Sequence, residues 1–296
     1  MKHFITLTLA LSLVSPVLAE KTESIPPKIF ATPVEASDAF ITAAKNGEQK
    51  AILEIFGDKH KELIGTDDPE RDKELRAKVA AMAIERRRFR DNDADSVTMV
   101  IGAEAWPFPI PIVKTDKGWH FDTDTGIGEI IKRRIGENEL TVIDAMRAYA
   151  DAQRRYAAVP RDGSKVRQFA RKFQSSPGKQ DGLHWSADTA KGGEPSPAGP
   201  AIKEPETSHA GYHYKILTAQ GEAAPAGKFD YIINGHFIGG FALIAWPAEY
   251  GKTGVMTFLV NHYGDVYEKD LGPETAAIAA KTEDYNPGEG WNETSE

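Results

Sequence analysis

The chain has 296 residues, a formal net charge of −8 and no cysteine. The acidic balance argues against nonspecific nucleic-acid binding, which needs clustered Lys and Arg facing phosphates. The missing thiols exclude a disulfide framework, so buried apolar area must hold the fold, and the length suits one large domain or two ordinary ones.

Residues 1–19 read as a secretory signal peptide. Lys2 and His3 precede an apolar run from Phe4 to Leu18, and Val17-Leu18-Ala19 suits cleavage after Ala19. The run is short for a transmembrane helix, no second run reaches that length, and no lipid-anchoring Cys follows it. The expectation is a periplasmic or secreted protein with no stable membrane insertion after cleavage. Residues 20–30, with Pro26-Pro27, read as an exposed lead-in.

An N-terminal α+β domain is expected over 31–128. Thr32-Pro33-Val34-Glu35 is a helix start with a capping Thr, Pro at the first helical position and Glu placed for a capping box. Asn46-Gly47 ends that helix, and a short one follows from Glu48 to Phe56. A third starts at Asp68-Pro69, with Leu75, Val79, Met82 and Ala83 as its buried stripe. The cluster Arg86-Arg87-Arg88 with Arg90 reads as a solvated helix end. The period then changes to two, and Ser96 to Ile101 reads as a strand with Val97, Met99 and Ile101 on one face. Phe108 to Val113, flanked and broken by Pro107, Pro109 and Pro111, reads as an edge strand or polyproline stretch. Trp119 to Asp122 returns as a strand after Lys117-Gly118.

The second domain is expected over 129–285, with a polar tail over 286–296. Helical period resumes from Glu129 to Ala158, with Leu140, Met146 and Tyr149 in its stripe, a kink at Gly136 and a fresh cap at Asn138. A loop dense in Gly, Pro, Ser and charge follows from Arg161 to Ser208, interrupted by a short helix from Val166 to Phe173. Loops of that length are usually functional or mobile. Strand candidates are Gly211 to Ala219, Phe229 to Ile233, His236 to Trp246, Gly254 to Asn261 and Asp265 to Asp270. Asn234-Gly235 between apolar runs is a hairpin signal. A small helix covers Pro273 to Lys281.

The blocks Arg134-Ile135-Gly136-Glu137-Asn138-Glu139-Leu140, Ala152-Gln153-Arg154-Arg155-Tyr156, Ser176-Pro177-Gly178-Lys179-Gln180-Asp181-Gly182-Leu183 and Gly254-Val255-Met256-Thr257-Phe258, with the upstream Trp106-Pro107-Phe108-Pro109-Ile110-Pro111, carry a resemblance. They resemble an exported bacterial family known as a domain of unknown function, number 2950. That resemblance brings no activity, cofactor or catalytic residue. The long helix with Asn138-Glu139, Ala148-Tyr149, Gln153 and Tyr156, followed by the strand-rich end, is also similar to pilin and pseudopilin globular domains. This implies a long helix packed on an antiparallel sheet. The fold class expected for the whole is α+β: a helical, small-sheet N-terminal domain, then that pilin-like arrangement. The helix lies mid-chain, so fibre assembly is not implied.

Chemistry-bearing patterns are sparse. Ser176-Pro177-Gly178-Lys179 matches Ser-x-x-Lys, and Lys252-Thr253-Gly254 matches a partner motif of penicillin-binding enzymes. However, Pro177-Gly178 opposes the helix that would bring Ser and Lys together. Asp91-Asn92-Asp93-Ala94-Asp95 has the opening of a calcium loop but Ser96 and Gly102 where Gly and Glu are required, so it reads as a solvated turn. His209 and His213 are too far apart along a strand to share a metal. No metal or cofactor is expected, and no phosphate-binding Gly-rich motif occurs. Arg133, Arg134 and Glu139 form a charged group that reads either as a salt-bridge network or as part of a ligand site. With Lys179, Asp181 and Trp185 they are the candidate ligand or interface residues. The expected function is noncatalytic: an envelope protein that binds a protein partner or an envelope polymer. The alternative is a periplasmic hydrolase with its site at the domain junction, around Arg134, Lys179 and Asp181.

Overall fold

A computed structural model describes residues 24–61, 69–161, 163–186, 194–198 and 209–294. The leader and the Asp68 cap lie outside them. The chain is mixed α+β and divides into two compact units, up to Ile127 and from Gly128 onward.

In the first unit, α1 (Pro33–Asn46) starts as its caps dictate. Thr32 Oγ1 accepts the Glu35 N–H at 3.1 Å, and a Glu35 carboxylate oxygen accepts the Ala31 N–H at 3.2 Å. Gly47 closes the helix at φ 70°, where a side chain would be strained. α2 (Gln49–Phe56) and α3 (Pro69–Glu85) follow. In α3 the buried positions include Ala80 and Ala83, whereas Leu75, expected in the core, is 51% exposed.

Five strands form the first sheet: β1 (Arg87–Asp93), β2 (Ser96–Ile101), β3 (Trp106–Pro107), β4 (Ile112–Thr115) and β5 (Gly118–Phe121). Their order is β1-β2-β4-β5, with β3 also on β2. The basic cluster read as a helix end is therefore β1, an edge strand antiparallel to β2 with Phe89 opposite Met99. Charged residues suit an edge because they discourage further pairing. The prolines limit 108–111 to isolated backbone bonds, from the Phe108 N–H to the Met99 carbonyl at 2.7 Å and from the Asp122 N–H to the Pro111 carbonyl at 2.9 Å, and the strand proper begins at Ile112. Phe40, Phe56, Phe108 and Phe121 fill the core, with centroid separations of 4.8 Å for Phe56–Phe121 and 5.4 Å for Phe40–Phe56, both edge-on.

α4 (Thr123–Ala157) is 35 residues long and enters the second unit. It runs unbroken through Gly136, so Asn138 is not the cap of a fresh helix. Asn138 instead donates its amide to the Thr253 carbonyl at 2.8 Å. The buried face is Val142, Met146, Tyr149, Ala150, Gln153 and Tyr156, while Leu140 is 67% exposed. This face packs with an antiparallel sheet of order β15-β13-β12-β11-β6, built from β6 (Tyr212–Leu217), β11 (Ala242–Pro247), β12 (Met256–Asn261), β13 (Val266–Asp270) and β15 (Asn292–Glu293). The residues read as a polar tail thus supply β15, which pairs Glu293 with Tyr267. β7 (Ala219–Gln220), β8 (Phe229–Asp230) and β14 (Asp284–Tyr285) make a three-stranded sheet. β9 (Ile232–Ile233) and β10 (His236–Phe237) form a hairpin, and α5 (Thr275–Lys281) precedes β14. Asn234 and Gly235 both have positive φ at the hairpin tip, the geometry that selects Asn-Gly there.

The helix expected over Val166 to Phe173 does not form. Tertiary partners take its backbone groups: the Phe169 N–H donates to the Phe237 carbonyl at 2.8 Å, and Ala170 is bound on both sides by Gln153. A backbone engaged in this way has no groups left for an intrahelical ladder.

Candidate functional site

A cleft of about 590 Å³ opens among the described residues of the second unit. It is lined by Tyr156, Arg161, Gly163, Ser164, Gln168, Phe169, Arg171, Lys172, Asp181, Gly235 and His236. Three pieces of chain build it: the end of α4, the irregular segment after it, and the β9–β10 hairpin.

Gln153, fully buried in α4, positions the irregular segment. Its amide nitrogen donates to the Ala170 carbonyl at 2.8 Å and to the Tyr149 hydroxyl at 3.0 Å, while its oxygen accepts the Ala170 N–H at 2.8 Å. One side chain thereby satisfies both backbone groups of a residue that has no ladder partner. Tyr156 donates to the Gln180 carbonyl at 2.9 Å, holding the next turn of the segment. Arg171 donates to the Gly235 carbonyl and fixes the hairpin tip from the other wall.

Arg161 is 7% exposed and committed to structure. It forms a bidentate pair with Glu194, at 3.1 and 2.7 Å, and donates to the Tyr156 carbonyl at 3.1 Å. Its guanidinium lies 5.1 Å from the Tyr156 ring centroid and 4.9 Å from that of Trp185. Hydrogen bonds from Arg161 hold the Glu194 carboxyl below its ordinary range, outweighing a smaller opposing effect of burial.

Beside it, Lys172, Ser176 and Asp181 close on one another. Lys172 Nζ lies 2.7 Å from both Ser176 Oγ and Asp181 Oδ2. The Ser176 hydroxyl donates to Asp181 Oδ2 at 3.0 Å, and its N–H donates to Oδ1 at 2.7 Å. Burial works against the Asp181 charge, but hydrogen bonds from Lys172 and Ser176 together outweigh it and leave the carboxyl below its usual range. The lysine that meets Ser176 is Lys172, not the Lys179 of the Ser-x-x-Lys pattern. Pro177 and Gly178 form a turn, the Lys179 N–H donates to the Ser176 carbonyl at 3.0 Å, and the Lys179 residue is exposed.

The residues singled out from the sequence separate. Asp181 lines the cleft. Trp185 is buried under Arg161, with its indole N–H donating to the Glu194 carbonyl at 3.3 Å. Arg133 and Arg134 lie on α4, where Arg133 pairs with Glu129 at 2.8 Å, one turn away. Glu139 is an anchor: a single carboxylate oxygen accepts the N–H groups of Val255 and Met256 at 2.8 and 2.9 Å and faces the Tyr212 hydroxyl at 3.4 Å. Gly254 is required at this point because a Cβ there would collide with the Tyr212 hydroxyl. His213 packs its ring 5.6 Å from Trp246, and no metal-ligating cluster occurs among the described residues. Arg161, Arg171 and Lys172 escaped the sequence reading. The signal that could have found them is the run 161–172, with five basic residues against one acid in an acidic chain.

No helix among the described residues is long and apolar enough to cross a membrane. Comparison with curated proteins and with solved structures finds no match. The family model described as protein of unknown function (DUF2950) matches residues 27–294, and the chain belongs to that family.

Proposed function

We propose that this protein is exported through a leader cleaved after Ala19 and works in the periplasm or outside the cell as a noncatalytic binding protein for a protein partner or an envelope polymer. The observation that carries this reading is the closed ring of Lys172, Ser176 and Asp181 at the cleft. Nucleophilic catalysis needs a base with a lone pair aimed at the hydroxyl proton. Here Lys172 is a donor held by a carboxylate, and the acceptor aimed at the Ser176 proton is Asp181, whose carboxyl, against the effect of burial, is held below its usual range by Lys172 and Ser176 and is a poor base. The group stiffens a cleft wall, which favours holding a ligand over transforming one. The pilin-like description of the second unit belongs to the same proposal. A long helix against an antiparallel sheet supports it, with the buried helix face serving its own sheet and loop.

Cross-linking in the envelope of living cells, followed by purification of a tagged copy and mass spectrometry, tests the reading. A specific partner protein or attached polymer is the expected result. Recovery of the protein alone, together with envelope-hydrolysing activity abolished by Ser176→Ala, would replace it with the hydrolase reading.

A further inference from the structure

The segment that forms one wall of the cleft carries charge opposite to that of the whole chain. The segment 161–172 carries Arg161, Lys165, Arg167, Arg171 and Lys172 against Asp162 alone, in a protein of net charge −8. Arg161 and Lys172 are tied to carboxylates. Arg171, in the lining, is exposed and spends one N–H on Gly235; Lys165 and Arg167, exposed in the same segment, adjoin the lining residues Ser164 and Gln168. The His236 ring lines the same cleft and has no hydrogen-bond partner among the described residues. The facing hairpin adds an apolar rim: Ile233 and Ile238, which flank the cleft residues Gly235 and His236, are 45% and 41% exposed. A concentrated positive field draws anions.

We infer that this cleft docks an acidic peptide segment of a partner protein, its carboxylates on Arg167, Arg171 and Lys165 and its apolar side chains on Ile233 and Ile238. The inference rests on the binding reading above and names the ligand class. Apolar rim residues favour a peptide over an acidic glycan, which would use an open aromatic face. Phe169, the candidate for such a face, is enclosed edge-on by Phe237 and Phe241, at 6.0 and 4.8 Å.

Fluorescence polarisation with labelled random poly(Glu,Tyr) tests it, with labelled polygalacturonate as the second probe. The copolymer should bind the full-length mature protein, weaken as salt rises and lose at least about tenfold affinity in the double variant Arg167→Glu, Arg171→Glu. The double variant Ile233→Ser, Ile238→Ser should lower copolymer affinity and leave the salt dependence unchanged. Circular dichroism and thermal melting show that both variants fold. Absence of copolymer binding, or binding unaffected by charge reversal, overturns the inference. So does polygalacturonate binding as tightly with no effect at the isoleucines, which would indicate a glycan. If in-cell cross-linking still captures a partner with the charge-reversed variant, this docking site fails while the binding reading stands; if the wild type captures nothing, that reading fails as well.

Discussion

The two units are held by different means. In the first, a cluster of four phenylalanines closes under helices, of which α1 is capped at both ends, and a hairpin sheet, and the long-range side-chain hydrogen bonds come from scattered residues: Arg87 to Ser37, Thr123 to the Phe56 carbonyl, Lys59 to Asp124. In the second, polar side chains of one helix reach far along the sequence. Asn138 binds Thr253, Glu139 binds Val255 and Met256, Tyr149 binds the Ala242 carbonyl, Gln153 binds Ala170 and Tyr156 binds Gln180. The lesson is that irregular chain can be ordered without a ladder if a regular element supplies its hydrogen bonds. The cost is dependence on a few residues, because an abandoned buried N–H or carbonyl is expensive.

The sharpest way to break the first unit is to empty its core. Phe121→Ala should destabilise it by about 3–5 kcal/mol, read in urea denaturation, with hydrogen exchange rising over residues 30–121. Exchange rising equally over 161–186 would erase the contrast between the units.

Gln153→Ala attacks the second unit where it differs. It strands both backbone groups of Ala170 and should cost about 3 kcal/mol, with protease cleavage appearing first between Arg161 and Lys172. Gln153→Glu keeps an acceptor for the Ala170 N–H but sets a buried carboxylate oxygen against the Ala170 carbonyl, so near neutral pH a loss at least as large is expected. A Gln153→Ala protein as resistant as the wild type would show that packing, not this side chain, orders the segment.

Local capping provides a smaller probe. Thr32→Ala removes the acceptor for the Glu35 N–H and should cost about 1 kcal/mol, with exchange rising in the first turn of α1 alone.

The smallest expected effect is a pH dependence in the second unit. Burial, and then the Arg154 charge, push the His262 pKa below its ordinary 6.5. A histidine that resists protonation when folded costs nothing above pH 6.5. As pH falls below that value the unfolded chain takes up the proton preferentially, so stability declines until the folded pKa is reached. His262→Gln should flatten the stability profile just below pH 6.5, and an unchanged slope would assign it to other groups.

Elements defined by neighbours in sequence were legible. Thr32-Pro33-Val34-Glu35 and Gly47 mark α1, alternation marks β2, and Asn234-Gly235 marks the β9–β10 turn, because caps, periods and turn chemistry act over a few residues. The candidate site was mostly hidden. Asp181 was found beside Lys179, but the partner that matters is Lys172. Glu139 looked like a ligand group because a carboxylate's acceptors cannot be seen from its own stretch of chain.

The sequence by itself determined the mixed α+β composition, the placement of the long helix and most of the strands, and the basic character of 161–172. Only the tertiary structure decided that Val166 to Phe173 is not a helix, that Arg87 to Arg90 is an edge strand, that residues 292–293 join a sheet, and that Arg171 and Gly235, 64 positions apart, line one cleft. The physical reason is the same in each case. Local propensity differs between conformations by less than a kcal/mol or so per residue, and one long-range hydrogen-bonded partner is enough to reverse it.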